Sequence, residues 1–222
     1  MVRIKFTLAL VASASLAALA SAQTFNLADD FSTAGTNPNG VWTYGSIIGG
    51  SFTPMTTTGA FSLGPYWIDT QGGAIWKNNS TVRAYGIEPG QISLDADVTS
   101  PVARFSAPYE GTFSILLEMG GTTLSENGGY GNVGVGNTGL RIDGAENTSF
   151  TYNAATNVRT WSISGLDLSA GETVDAYVNL VGNGGNLQAK FNVVGSPVPE
   201  PATMAALGLG AAALLRRRSR RA

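Results

Sequence analysis

Between residues 102 and 194 the chain alternates large apolar and polar residues at a spacing of two. It does so over Val102-Ala103-Arg104-Phe105-Ser106-Ala107, Thr112–Met119, Val158–Ile163, Thr173–Val181 and Leu187–Val194. Pro101, Pro108, Gly111 and Gly120 punctuate the first two runs, so each run predicts a strand with one face on a core and one toward water. No body segment of 10 or more residues has helical spacing, so no crossover helices separate the strands and the sheets are expected to be antiparallel. Two such sheets face to face predict an all-β, antiparallel β-sandwich of jelly-roll type, with about eight to ten strands. No repeat with a period of about 20–50 residues points to a solenoid or propeller. The Gly-rich insert Gly128–Gly136 reads as a loop or a weak edge strand, because glycine resists ordering.

Both ends depart from this pattern. Met1–Ala22 carries Arg3 and Lys5, an apolar run shorter than a membrane span, then Ala20-Ser21-Ala22, the small-x-small pattern of a signal peptidase site. The expectation is a signal peptide over 1–22, removed before Gln23, and a single sandwich domain over 23–196. At the far end, residues 197–222 combine Val198-Pro199-Glu200-Pro201, an apolar stretch over 202–215, and the basic cluster Arg216, Arg217, Arg218, Arg220 and Arg221. The apolar stretch spans about 21 Å as a helix against a hydrocarbon core of about 30 Å, so it is a poor permanent anchor. The arginines resist translocation and hold the segment at the membrane, with the body outside. The two prolines fix an extended backbone around Glu200, the form in which a protease or transpeptidase threads its substrate.

Composition sharpens the picture. The chain contains neither cysteine nor histidine, which excludes disulfides, Ser-His-Asp and Cys-His catalysis, and His-ligated metals. Its formal charge of −2 hides an asymmetry: the body holds six basic residues against fourteen acids, a net charge near −8. Nucleic acid and anionic lipid are therefore poor partners for the body and no nucleic acid is expected, while a neutral polysaccharide or a divalent cation suits the balance.

Three groups of residues can carry chemistry. Trp42, Tyr44, Tyr66, Trp67 and Trp76 either fill the core, the commoner fate, or offer faces on which sugar rings stack. Tyr66-Trp67-Ile68-Asp69 is the better ligand candidate, since Gly64-Pro65 and Gly72-Gly73 place it near loops. Asp29 and Asp30, with Asp95, Asp97 or Asp175, either supply oxygens to a structural Ca²⁺ or stay as solvated surface carboxylates; no D-x-D-x-D-G loop favours the ion. Glu110, Glu118, Glu126 and Glu172 are carboxylates of the type glycoside hydrolysis needs, but their presence alone is uninformative, and no G-x-S-x-G or P-loop occurs.

Two resemblances accompany these readings. The body pieces Ala28-Asp29-Asp30-Phe31-Ser32, Asn37–Gly45, Glu88-Pro89-Gly90, Val102–Pro108, Gly111-Thr112-Phe113 and Ser169–Asp175 follow one another in an order that resembles a β-sandwich domain common in exported bacterial proteins with PEP-CTERM tails. Glu88 stands where that group more often has His, and Phe105 where it has Trp. The tail resembles the PEP-CTERM sorting signal itself, which implies recognition by an exosortase, a membrane-embedded cysteine transpeptidase of exopolysaccharide-making bacteria. The combined expectation is a non-enzymatic, exported protein, held transiently at the inner membrane and delivered to the cell surface or extracellular matrix. There the sandwich is structural or binds polysaccharide; the alternatives are a polysaccharide-active enzyme and a protein-binding adhesin.

Overall fold

The computed structural model describes residues 21–121, 135–179 and 185–198. The expected signal peptide apart from Ser21 and Ala22, the Gly-rich insert apart from its last residues, and the sorting tail beyond Val198 lie outside the described residues.

Each alternating run forms a strand, but the described residues hold fifteen strands where about eight to ten were expected, because short hairpin strands such as Ser51–Pro54 and Thr57–Phe61 add to the long ones. β1 (Gln23–Asn26) runs into a single helical turn, α1 (Leu27–Asp30), capped by the Asn26 side chain, which accepts from the Ala28 and Asp29 amides. There follow β2 (Trp42–Ile48), β3 (Ser51–Pro54), β4 (Thr57–Phe61), β5 (Gly64–Ile68), β6 (Ala74–Lys77), β7 (Ile92–Ala96), β8 (Ser100–Ser106) and β9 (Gly111–Gly120). The remainder are β10 (Thr138–Ile142), β11 (Ala145–Asn147), β12 (Thr151–Asn153), β13 (Val158–Leu168), β14 (Thr173–Val178) and β15 (Gly185–Pro197). All pairings are antiparallel, in two sheets. The larger has the order β12-β13-β9-β15-β7-β6-β5-β4, with β1 also on β15; the smaller is β11-β10-β14-β8-β2-β3.

β15 explains how the larger sheet is assembled. Its first residues pair with β7, its last with β1 on that same side, and β9 runs along the other edge from Ala189 to Pro197. One long strand thus joins the two halves of the sheet. Period two sends Phe113, Ile115, Leu117 and Met119 of β9 inward, with Leu187, Ala189, Phe191 and Val193 of β15, and all are buried. Trp42 meets Phe105 at 5.5 Å and Phe191 at 5.1 Å, both edge to face, at the junction of the two sheets.

The smaller sheet departs from the expectation of one wet face. Asp175 and Tyr177 point outward from β14 yet are buried, because a ladder of side chains covers them. Arg104 donates to both Asp175 carboxylate oxygens at 2.7 and 2.8 Å and lies 3.7 Å from the Phe52 ring centre. Arg141 donates to Glu146 at 2.7 Å and lies 4.3 Å over Tyr177, whose hydroxyl donates to the same carboxylate. Long side chains lying across a sheet dry the face that alternation alone assigns to solvent.

Candidate functional site

A cavity of about 420 Å³ lies on the outer face of the larger sheet, toward its β4 edge. Strand register builds it. Tyr66 on β5 faces Trp76 on β6, and beside them Ile68, Ala74, Asp95 and Asn186 form a row across β5, β6, β7 and β15. The intervening row, Trp67, Ile75, Leu94 and Leu187, points the opposite way and is buried in the core.

Aromatic rings make one wall. Trp76 is enclosed, 3% exposed, with Phe61 edge-on at 5.1 Å and Tyr85 edge-on at 6.3 Å. Phe61 and Tyr85 are each 40% exposed, so they form the rim, and Tyr66 leans on Phe61 at 6.1 Å. Tyr85 is held there by an unusual backbone. Tyr85 and Gly86 have φ of 52° and 77°, and Ala84 and Ile87 exchange both backbone hydrogen bonds, giving a two-residue turn of type I′. Asn78, fully buried, braces the enclosing loop by donating to the Val82 and Ile87 carbonyls and accepting from Ser80.

Polar groups line the cavity beside the rings. Asn186 Oδ1 accepts from Trp76 Nε1 at 2.8 Å and from Ser93 Oγ at 2.9 Å, fixing the indole plane. Burial pushes the Asp95 carboxyl up to about 6, and the neighbouring Asp97 charge adds to the rise. Asp97 packs over Gly72, where a Cβ would come within 2.6 Å of its carboxylate and where φ is 103°. No lysine or arginine lines the cavity among the described residues.

The structure divides the residues that the sequence grouped. Tyr66 and Trp76 come together in the cavity. Trp42, Tyr44 and Trp67 do not: they are at most 2% exposed, and Tyr44 and Trp67 stack on each other at 6.1 Å. Trp67 was the better candidate by position between loops, but its parity on β5 turns it inward, where Nε1 donates to the Ser32 carbonyl at 2.8 Å. Asp69 is an organiser of its own turn. It accepts from the Gln71 and Gly73 amides and from the Ser46 and Thr99 hydroxyls. Burial alone would raise its carboxyl, but these four donors outweigh it and hold the carboxyl below the usual range.

The calcium grouping also comes apart. Asp30 accepts from Trp42 Nε1 and the Asn26 amide, Asp29 sits exposed on α1, and Asp175 is bound by Arg104 on the smaller sheet. Among the described residues no three acids gather to hold a metal ion. Glu118 pairs loosely with Lys190 at 3.9 Å and Glu172 caps the turn at Ser169; neither these nor Glu110 line the cavity, and Glu126 lies outside the described residues. Phe61, Tyr85 and Asn186 were missed. Tyr85-Gly86 carried a turn signal, but nothing in the sequence says which ring that turn lands on.

Residues 197–221 match the PEP-CTERM protein-sorting motif, so the chain carries a signal for exosortase processing and is an exported, cell-surface protein. No curated protein matches the chain. Solved structures similar to it include a family 35 carbohydrate binding module from Clostridium thermocellum, at 14% identity and a TM-score of 0.28, covering 78% of this chain and 98% of that one. Another is the C-terminal CBM6 of LamC, a marine laminarinase from Zobellia galactanivorans, at 10% identity and a TM-score of 0.26, covering 68% and 98%.

Proposed function

We propose that this is a non-catalytic, cell-surface glycan-binding protein whose outer-face cavity holds a sugar. One observation supports this most: two half-exposed rings, Phe61 and Tyr85, stand around Tyr66 and the buried Trp76 in a concave site that also presents carboxylates and an amide. A pyranose has apolar C–H patches that stack on such rings and hydroxyls that donate to such oxygens.

The placement of the tail supports the same reading. Asn186, near the start of β15, lines the cavity, whereas Pro197 ends β15 and Val198 donates its amide to the Glu110 carbonyl just before the sorting motif continues. Eleven residue steps of extended strand separate the two points by roughly 35 Å. A body tethered through its tail at the inner membrane would hold the cavity well away from the bilayer.

Binding of the full-length protein to a panel of neutral oligosaccharides, with Tyr66→Ala and Tyr85→Ala as variants, tests the reading; no binding to any glycan would overturn it. Asp95 and Asp97 supply the specific reason to consider hydrolysis, because a carboxyl raised by burial beside a second carboxylate is the pairing a glycosidase uses. Release of reducing ends, abolished by Asp95→Asn, would favour the enzyme over the binding protein. Processing is tested by mass spectrometry of the protein from its native host: a chain still ending at Ala222 would show that no sorting enzyme acts on it.

A further inference from the structure

The fold uses one recognition unit twice on its smaller sheet: an aromatic ring, a cation over its face, and a carboxylate on the cation. Phe52, Arg104 and Asp175 form the first, and Tyr177, Arg141 and Glu146 the second. In each the guanidinium is held between π electrons and negative oxygen, the two groups that most favour a positive charge.

In the cavity the same two kinds of group meet without a cation of the protein. Trp76, Tyr66 and Tyr85 supply the rings; Asp95 and Asp97 supply the carboxylates. Neither carboxylate makes a hydrogen bond or ion pair with a described residue. Asp95's register neighbours, Ala74 and Asn186, are uncharged, and the lysines of the same two strands are engaged elsewhere, Lys77 on the Ala28 carbonyl and Lys190 on Glu118. Such a site rejects an anionic sugar such as a uronate, by like-charge repulsion, and rewards a ligand that brings positive charge.

We propose that the cavity selects an amine-bearing sugar, a deacetylated hexosamine whose ammonium is received by Asp95 and Asp97 beside the aromatic wall, an assignment that rests on the glycan-binding reading above. Its N-acetylated counterpart has the same ring and hydroxyls but no charge. The preference between the two isolates the role of the carboxylates from that of the rings.

The test is calorimetric titration of the full-length protein in detergent, near neutral pH and at low salt, with the glucosamine trimer and the N-acetylglucosamine trimer. The amine trimer is expected to bind at least tenfold more tightly, and Asp95→Asn/Asp97→Asn to reduce that preference to parity. Should the double variant misfold, Asp97→Asn, at an exposed position, is expected to lower the preference about threefold. Glu118→Gln, which removes one charge elsewhere on the same sheet, is expected to leave it intact. Equal affinity of the unaltered protein for both trimers would overturn the amine assignment and spare the glycan reading. Absence of binding to both, and to the neutral panel, would overturn the two together. A preference lost equally in Glu118→Gln would trace to the net charge of the domain and also overturn the assignment.

Discussion

Trp76 and Asn186 are 110 residues apart in sequence and joined by a 2.8 Å hydrogen bond from the indole Nε1 to the side-chain carbonyl. The same oxygen accepts from Ser93 at 2.9 Å, so one amide links β6, β7 and β15 and sets the orientation of the ring at the centre of the cavity. Replacing Asn186 by Ala strands two buried donors. Thermal or urea unfolding is expected to show a loss of about 2–4 kcal/mol, and the cavity's ligand affinity is expected to fall with it. Unchanged stability would mean that the indole finds another acceptor.

Tyr85 and Trp67 are expected to behave oppositely. Tyr85→Ala removes a rim ring with little buried area, so it is expected to cost under about 1 kcal/mol of stability and to weaken oligosaccharide binding about three- to tenfold. Trp67→Phe removes a core volume and the hydrogen bond to Ser32, so it is expected to cost about 1–3 kcal/mol with affinity unchanged. Paired unfolding curves and titrations on the two variants check both statements.

The Asp95 carboxyl gives the protein a signed pH dependence. Its folded-state value of about 6 lies above the ordinary 3.8, so between those values the folded state binds more protons than the unfolded one. Stability from this group is therefore present at about pH 4, is lost as the pH rises through about 6, and is flat beyond. Asp97 is the charged neighbour, and the facing Ala74 and Asn186, with Ser93 two residues along β7, are neutral. Asp95→Asn is expected to raise stability near pH 7 by about 1–2 kcal/mol, a figure discounted for remaining solvent contact, and to make the difference between the two proteins vanish near pH 4. A difference independent of pH would contradict this account.

Asp175 is expected to be a structural acid. It is 2% exposed and doubly bonded to Arg104, so Asp175→Ala leaves a guanidinium facing buried surface and is expected to cost about 3–5 kcal/mol in denaturant unfolding. Chelation of divalent cations is expected to leave the melting temperature of the unaltered protein in place, because this carboxylate already has its cation. A fall on chelation would point to an ion held by oxygens other than these.

Much of the fold was legible in the sequence because strand period and turn residues are local properties. The runs around Phe105, Leu117, Trp161, Val174 and Phe191 became β8, β9, β13, β14 and β15, and the lack of helical spacing corresponds to a body whose one described α-helix is a single turn. The cavity was legible only in part. Tyr66 and Trp76 could be picked as rings near loops, but Phe61, Tyr85 and Asn186 reach them from three other segments through tertiary contact alone. The buried outer face of β14 was hidden for a similar reason, since Arg104 and Phe52 cover it from neighbouring strands.

The sequence by itself determined an all-β body of antiparallel strands, a strongly acidic domain without cysteine or histidine, and a terminal sorting motif. It also determined that Tyr66 and Trp67 must lie on opposite faces, because adjacent residues of a strand point opposite ways. Which of them meets the core was decided only when β5 paired with β6 and the sheet chose the side that packs on the smaller sheet. Parity is written in one strand, but the inward face is a property of two sheets together, and so Trp67 became core while Tyr66 was left on the cavity wall.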